Sequence, residues 1–167
     1  PSRVFHAMAY DSQRGRTVMF GGHDLVGNLG DTWEWDGTSW ILATNVGPAP
    51  RYLHAMAFDA NLGRTLLFGG SINGPCFGDT WEWDGSGWSL SGAVGPTARF
   101  CHAMVYESQH QQTVMFGGAL PGPLGNLGDT WLFGPSPFGT TATATAYGQG
   151  CGNPPLGFVP QPVARPI

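Results

Sequence analysis

Three histidines at a fixed spacing are the first candidates for chemistry in this sequence: His6, His54 and His102, with 48 residues from each to the next. Imidazole is a common metal ligand and general base, so one histidine per repeat could form an arc of ligands. A catalytic site, however, combines different residues from different repeats, whereas a residue found in every repeat usually serves a bond made in every repeat. We therefore expect structural roles for these histidines and predict neither a metal site nor a cofactor.

Three aspartates, each followed by Thr-Trp, form a second recurrent set: Asp31, Asp79 and Asp129. A short carboxylate at a loop-to-strand junction can accept backbone N–H groups and pair with arginine. Calcium binding is the alternative, but these loops lack the dense acidic ligands of a calcium site. The tryptophans that follow are Trp33, Trp81 and Trp131. We expect them to fill a core, with stacking on a sugar as the alternative.

These residues belong to a longer repeat of four short segments. Residues 3–11 return at 51–59 and 99–107, and residues 17–22, ending in Gly-Gly, return at 65–70 and 113–118. A third segment follows at 30–37, 78–85 and 128–134, and a fourth begins with an aromatic residue at Trp40, Trp88 and Phe138. The segments are rich in aromatic and β-branched residues and are separated by Gly, Asp, Asn and Pro, which predicts strands. Asp36-Gly37 and Asp84-Gly85 are strong hairpin signals.

Four antiparallel strands per repeat make a β-propeller blade. The diglycine, the tryptophans and the spacing resemble the kelch family in its bacterial form, over residues 3 to about 133. The resemblance implies an all-β fold of three four-stranded antiparallel blades, at about 1–48, 49–96 and 97–147. Residues 140–147 would form the last strand or a linker, and we favour the strand. Residues 148–167 are predicted to be a Pro/Gly-rich tail or the start of a further module.

Three blades predict an incomplete ring, since propellers close with about four to eight. The chain is then a fragment of a longer surface protein, which we favour, or half of a six-blade dimer.

The variable segments of the repeat would share one face of the blades, because alternate strands run in opposite directions. Variable loops on a repeated scaffold are the usual place for binding. The candidate contacts on this face are His23, Asp24, Arg51, Tyr52, Asn73, Phe77, Arg99 and Phe100. The alternative is that these loops only connect strands.

Two of the three cysteines, Cys76 and Cys101, fall on this same face in adjacent blades. We predict a Cys76–Cys101 disulfide, which would close a loop of roughly 25 residues and contribute about 3 kcal/mol. Cys151 would then be a free thiol, form an intermolecular bond, or pair with a cysteine outside this sequence.

The composition excludes several partners. The 167 residues carry a net charge of -4, only 11% are charged and all seven cations are arginine, so nucleic acid and anionic membranes are not expected partners. No apolar run reaches membrane-spanning length, so we predict no membrane insertion. Two features of the composition, the lack of lysine and the presence of three cysteines, favour an extracellular or cell-surface location.

The kelch resemblance admits both interaction scaffolds and enzymes, among them copper-radical galactose oxidases and a sialic-acid epimerase. The tyrosines and cysteines here are not grouped as the oxidase copper site requires, and no catalytic motif appears. We predict a non-catalytic protein-binding or structural module of a secreted or cell-surface bacterial protein, with a protein partner or self-association into a homodimer or filament. The alternatives are a carbohydrate-binding propeller and a non-catalytic part of a larger kelch enzyme.

Overall fold

The computed structural model describes residues 2–92, 95–122, 125–136 and 139–147, and the named elements within them are β-strands. Blade 1 contains β1 (Ala7–Asp11), β2 (Arg16–Phe20), β3 (Thr32–Trp35) and β4 (Trp40–Thr44). Blade 2 contains β5 (Ala55–Asp59), β6 (Arg64–Phe68), β7 (Thr80–Trp83) and β8 (Trp88–Leu90). Blade 3 contains β9 (Ala103–Glu107), β10 (Gln112–Phe116), β11 (Thr130–Ser136) and β12 (Gly139–Tyr147).

Each blade is one antiparallel sheet in which consecutive strands are neighbours. The first strands of successive blades lie beside one another on the inner side, and the fourth strands form the outer edges. The three sheets confirm the predicted all-β, blade-like architecture. The favoured last strand is present as β12, paired with β11. Phe138, Cys151 and the predicted tail at 148–167 lie outside the described residues.

The predicted Asp-Gly hairpins are held by their aspartates. Asp36 Oδ1 accepts the backbone N–H groups of Thr38 and Ser39 at 2.8 and 2.9 Å, and Gly37 adopts a φ of 101°. The Thr38 hydroxyl also donates to this carboxylate. These hydrogen bonds, that of the Thr38 side chain foremost, hold the pKa of Asp36 far below its ordinary value. The turn therefore depends on an ionised aspartate.

The core lies between blades, because a single four-stranded sheet cannot bury its own faces. The first cluster joins residues of blades 1 and 2: Ala9, Val18, Phe20, Met56, Phe58, Leu67 and Trp83. The second joins residues of blades 2 and 3: Leu66, Phe68, Met115 and Phe133. In the first junction Trp83 Nε1 also donates to Glu34 at 2.9 Å. Blade 3 has Phe133 at the position of Trp83, and a phenyl ring has no donor to replace this bond.

The first glycine of the diglycine is required in blades 1 and 2, where the next blade approaches closely. Gly69 has a φ of +66°, and a Cβ there would stand 2.6 Å from the carbonyl oxygen of Arg99. Gly15 has nearly the same φ, +65°, but a Cβ there would meet nothing within 4 Å. We expect Gly69→Ala to lower the free energy of unfolding by about 2–3 kcal/mol, since it combines backbone strain with an overpacked junction.

The matched variant Gly15→Ala carries the backbone strain alone, and we expect it to cost about 1 kcal/mol. Urea denaturation of both variants measures the difference. Equal losses would contradict the role assigned to the close approach of blades.

Candidate functional site

The non-repeated segments of the chain meet on one side of the blades. Ala7 pairs with Phe20 and Thr32 with Thr44, so each blade begins its first strand, leaves its second and enters its third on the same side. We call this side the loop face; it consists of the described residues within 2–6, 21–31, 45–54, 69–79, 91–102 and 117–129.

Isolated bridges extend each blade into the loop face. In blade 1, His23 bridges both Val4 and Asn28, and backbone bonds of 2.9 Å join Val4 and His23 in both directions. Ser71 and Ala119 occupy the place of His23 in the other two blades. One backbone geometry thus presents three different side chains, as expected of a scaffold whose loops vary.

A row of three residues lies where the blades converge, and each has a positive φ: Phe5 at 58°, Leu53 at 57° and Cys101 at 57°. Leu53 N–H donates to Phe5 O at 3.0 Å, and Cys101 N–H donates to Leu53 O at 2.9 Å. The left-handed conformation costs a non-glycine residue about 1–2 kcal/mol. The hydrogen bonds between blades hold it in place. Sequence reasoning missed this row, because none of the three is a residue type that signals a positive φ.

Two predicted binding residues, Arg51 and Arg99, are buried and belong to the blades. Arg51 forms two hydrogen bonds with Asp79, at 2.6 and 2.9 Å, and a third with Gly69 O at 3.0 Å. Arg99 is bound in the same way in blade 3, and Arg3 in blade 1. We call each such set an arginine clamp. Both side chains are 1% exposed, so the candidate surface does not include them.

The aspartates of the clamps also accept the indole N–H of the tryptophan two residues on. The distances from Nε1 are 2.6, 2.7 and 2.6 Å for the pairs Asp31–Trp33, Asp79–Trp81 and Asp129–Trp131. Burial alone would raise the pKa of Asp79, but the hydrogen bonds from Arg51 and Trp81 outweigh it and the pKa is lowered. The carboxylates are therefore held ionised inside the fold.

The histidines fill the wedge between blades. His54 packs edge-on against Phe20 with ring centroids 5.6 Å apart, and His102 packs against Phe68 at 5.3 Å. Burial, and then the charge of Arg51, lower the pKa of His54 to about 3. Burial and Arg99 lower that of His102 to about 4. Both imidazoles are thus neutral at physiological pH.

His6 holds the same place in blade 1, where burial and Arg3 lower its pKa. Within the described ranges, no group of three or more His, Cys, Asp and Glu side chains is arranged to hold a metal ion.

Three of the remaining candidates are engaged in local contacts. Phe77 lies under the Arg51 guanidinium, 3.9 Å from the ring centroid, so that face of its ring is covered. Asp24 accepts the backbone N–H groups of Gly27 and Val26, and these bonds lower its pKa. Asn73 accepts a hydrogen bond from the Asn28 amide at 3.2 Å.

Tyr52 and His23 form an aromatic group with Phe5 on the loop face. Ring centroids are 6.3 Å apart for Phe5 and Tyr52, and 6.1 Å apart for His23 and Tyr52. Phe100, the counterpart of Tyr52 in blade 3, is half-buried and bridges Ala119.

The loop face also exposes apolar side chains that sequence reasoning missed. Leu25 and Val26 are fully exposed at the tip of the β2–β3 loop, and Val46 is exposed in the connection to blade 2. Val4 and Phe5 are also exposed. The sequence does contain a signal for this exposed tip: two apolar residues stand between Asp24 and Gly27, which are typical turn residues.

The predicted Cys76–Cys101 disulfide is not formed, because both cysteines are free thiols in the structure. Cys76 bridges Ser71 within the β6–β7 loop, whereas Cys101 belongs to the left-handed row. Burial raises the pKa of the Cys76 thiol. Placement on one face was therefore not sufficient for the two thiols to bond.

The loop face also holds a shallow cavity of about 480 Å³ at the edge of blade 1. It lies between the end of the β2–β3 loop and the connection to blade 2, and it is lined by Asn28, Leu29, Gly30, Asp31, Asn45, Gly47, Pro48, Ala49 and Pro50. Both Asp31 oxygens are already bound by Arg3, so this cavity offers no free charge.

Comparison with known proteins supports the fold. No protein-family model matches the chain, and no curated protein matches it. One similar solved structure is titled "Structure of YjhT", with a TM-score of 0.67 and 14% sequence identity. The match covers 88% of this chain and 46% of that chain, so this chain spans less than half of its length. At this identity the likeness concerns the fold alone, which is β-propeller-like. No helix among the described residues has the length and apolarity to cross a membrane.

Proposed function

We propose that this chain is a kelch-type, non-catalytic protein-binding module of a secreted or cell-surface protein, and that the loop face is its binding surface. The observation that carries the proposal is a set of exposed apolar side chains in the non-repeated loops, with Leu25 and Val26 fully exposed at the tip of the β2–β3 loop. Exposed apolar clusters on a loop surface are typical of protein interaction sites.

The charges of the blades support the same proposal. Each of the six described arginines forms an ion pair with a carboxylate of its own blade. The groups with lowered pKa values, such as His54 and Asp79, are equally committed to packing or to clamps. What the loop face offers a partner is therefore chiefly apolar area and backbone groups, and these suit a protein.

A photo-crosslinking amino acid at position 25 tests the surface. With extracellular extract of the source organism, we expect position 25 to capture a discrete protein, and excess unlabelled chain to compete for it. The matched control places the same probe at position 12, exposed in the β1–β2 turn on the opposite side of blade 1. Equal capture of the same protein from both positions would contradict the proposal.

A variant carrying Leu25→Asp and Val26→Asp tests the apolar contact itself. We expect it to lower partner recovery by about tenfold or more, because charge at an anchor position loses apolar burial and must be desolvated. Both side chains are fully exposed, so the fold should be retained. Unchanged recovery would overturn the assignment of this tip.

Carbohydrate binding is the second candidate, and the aromatic group of Phe5, Tyr52 and His23 is the observation that favours it. Exposed rings of this kind stack on the apolar faces of sugars. Glycan-array binding that is lost in Tyr52→Ala and retained in the Leu25→Asp, Val26→Asp variant would favour a carbohydrate ligand over a protein partner.

A further inference from the structure

Three backbone hydrogen bonds join blade 1 to blade 2. Leu53 N–H donates to Phe5 O at 3.0 Å, Arg51 N–H donates to Leu29 O at 3.2 Å, and Gly22 N–H donates to Arg51 O at 2.9 Å. The junction of blades 2 and 3 repeats all three at positions 48 residues further on, at 2.9, 3.2 and 2.9 Å. A blade boundary therefore has a fixed pattern of donors and acceptors.

The same groups stand open at the two ends of the three-blade arc. Blade 1 presents the N–H of Phe5 and both the N–H and the C=O of Arg3, while blade 3 presents the C=O of Cys101, the N–H of Gly118 and the C=O of Leu127. Among the described residues, none of these six groups has a backbone partner. One end offers two donors and one acceptor, and the other end offers their complement.

Aromatic side chains on the two end faces are exposed, whereas their counterparts at the inner junctions are buried. Tyr10 on blade 1 is 60% exposed, whereas its counterpart on blade 2, Phe58, is 7% exposed. Phe116 on blade 3 is 55% exposed, whereas its counterpart Phe68 is 0% exposed. The end faces thus expose aromatic positions that the inner junctions bury.

We propose that a second copy of this chain covers both end faces, so that blade 3 of each copy docks on blade 1 of the other and two chains close one six-blade ring. The chain itself carries both complementary halves of the junction, and a two-fold axis would make the two new junctions identical. Six blades lie within the range of about four to eight in which propellers close.

The inner junctions show which side chains should meet where the two copies join. Phe20 lies against the ring of His54 across the first junction, with centroids 5.6 Å apart. In the closed ring the corresponding contact is Phe116 of one copy against His6 of the second copy. The residues that test the ring, Phe116 and Cys101, differ from those that test the loop-face partner, Leu25 and Val26, so the two proposals can fail separately.

Molar mass in solution tests the proposal with the full chain. We expect light scattering to give twice the chain mass of 17.7 kDa at micromolar concentration. Phe116→Asp should raise the dissociation constant of the dimer by about a hundredfold or more, because an unpaired carboxylate would be buried in both junctions. Val46→Asp, an equally apolar-to-acidic change at an exposed position away from the end faces, is the matched control and should stay dimeric.

Three results would overturn the proposal: a wild-type monomer, a mass above two chains, and a dimer that Phe116→Asp leaves intact. Circular dichroism of Phe116→Asp keeps the test independent of folding. Leu25→Asp should lose partner binding and keep the dimer, so failure of the ring and failure of the loop face are distinguishable.

Cross-linking locates the junction. In a background with Cys76→Ser and Cys151→Ser, Leu53→Cys puts a cysteine at the residue whose C=O accepts the Cys101 N–H, and we expect an intrachain disulfide on oxidation. Phe5→Cys should instead form a disulfide with Cys101 of a second copy, seen as a covalent dimer on a non-reducing gel. Bridging by Leu53→Cys without a covalent dimer from Phe5→Cys would argue against ring closure.

Discussion

Replacing Arg51 with alanine is expected to lower the free energy of unfolding by about 3–5 kcal/mol, the usual cost of removing one partner from a buried ion pair. The guanidinium is buried and gives two hydrogen bonds to Asp79, one to Gly69 O and one, at 3.1 Å, to Ala49 O. Its removal leaves Asp79 without its counter-charge. It also leaves two carbonyl groups without a donor at the junction of two blades.

Arg64 provides the matched control, since it too pairs with an aspartate of blade 2. The Arg64–Asp84 distance is 3.1 Å, but both side chains are more than one-third exposed. We expect Arg64→Ala to cost less than about 1 kcal/mol, because exposed ion pairs are screened by solvent. Urea denaturation at neutral pH measures both variants. Similar losses would show that burial of the clamp does not determine its contribution.

Acidification from pH 7 to pH 5 is expected to lower the free energy of unfolding by about 4 kcal/mol through His54 and His102 together. Both residues have folded-state pKa values, about 3 and about 4, below the ordinary value of 6.5. Above pH 6.5 neither state binds a proton, so the two residues have no effect on the pH dependence. As the pH falls below 6.5, the unfolded chain binds protons that the folded chain cannot, and each residue removes about 1.4 kcal/mol per pH unit.

His6, whose pKa is also lowered, acts in the same pH window and with the same sign. The carboxylates separate from the histidine effect by pH window or by sign. The clamp aspartates, with lowered pKa values, lose their contribution only as the pH falls below the ordinary aspartate range. Burial raises the pKa of Asp59, which gains its proton first in the folded state and so opposes the loss. Between pH 6.5 and pH 5 the histidines therefore dominate.

The double variant His54→Gln, His102→Gln isolates the two histidines, because glutamine is uncharged at every pH used. Its free energy of unfolding, measured with urea at pH 7, 6 and 5, should fall much less over this range than that of the wild type, because only His6 of the three repeated histidines remains. A wild-type slope that the double variant retains would refute the assignment.

Much of the blade was predictable from local patterns. The Gly-Gly at 69–70, the Asp36-Gly37 turn and the tryptophan positions are signals that a strand or turn makes by itself, and threefold repetition removed ambiguity about their register. The contact between Asp79 and Arg51 was also predictable in kind, since a recurrent carboxylate requires a recurrent partner. The consequence of this contact was not predicted. Because Arg51 is bound to Asp79, it is buried and does not belong to the binding surface on which the sequence analysis placed it.

The sequence by itself determined the strands, their order and the blade, because these depend on neighbours within one repeat. The tertiary structure alone decided which copies of a repeated residue are buried. Phe68 and Phe116 occupy the same position of the same motif, yet Phe68 is buried against blade 3 and Phe116 is exposed. Likewise, residue type gives no indication that Phe5, Leu53 and Cys101 adopt a left-handed backbone, because the hydrogen bonds that hold them there come from the next blade. Burial and backbone strain arise at contacts between neighbouring blades. The sequence of one repeat is the same whether or not another blade packs against it, so the repeat motif does not show which copies are buried.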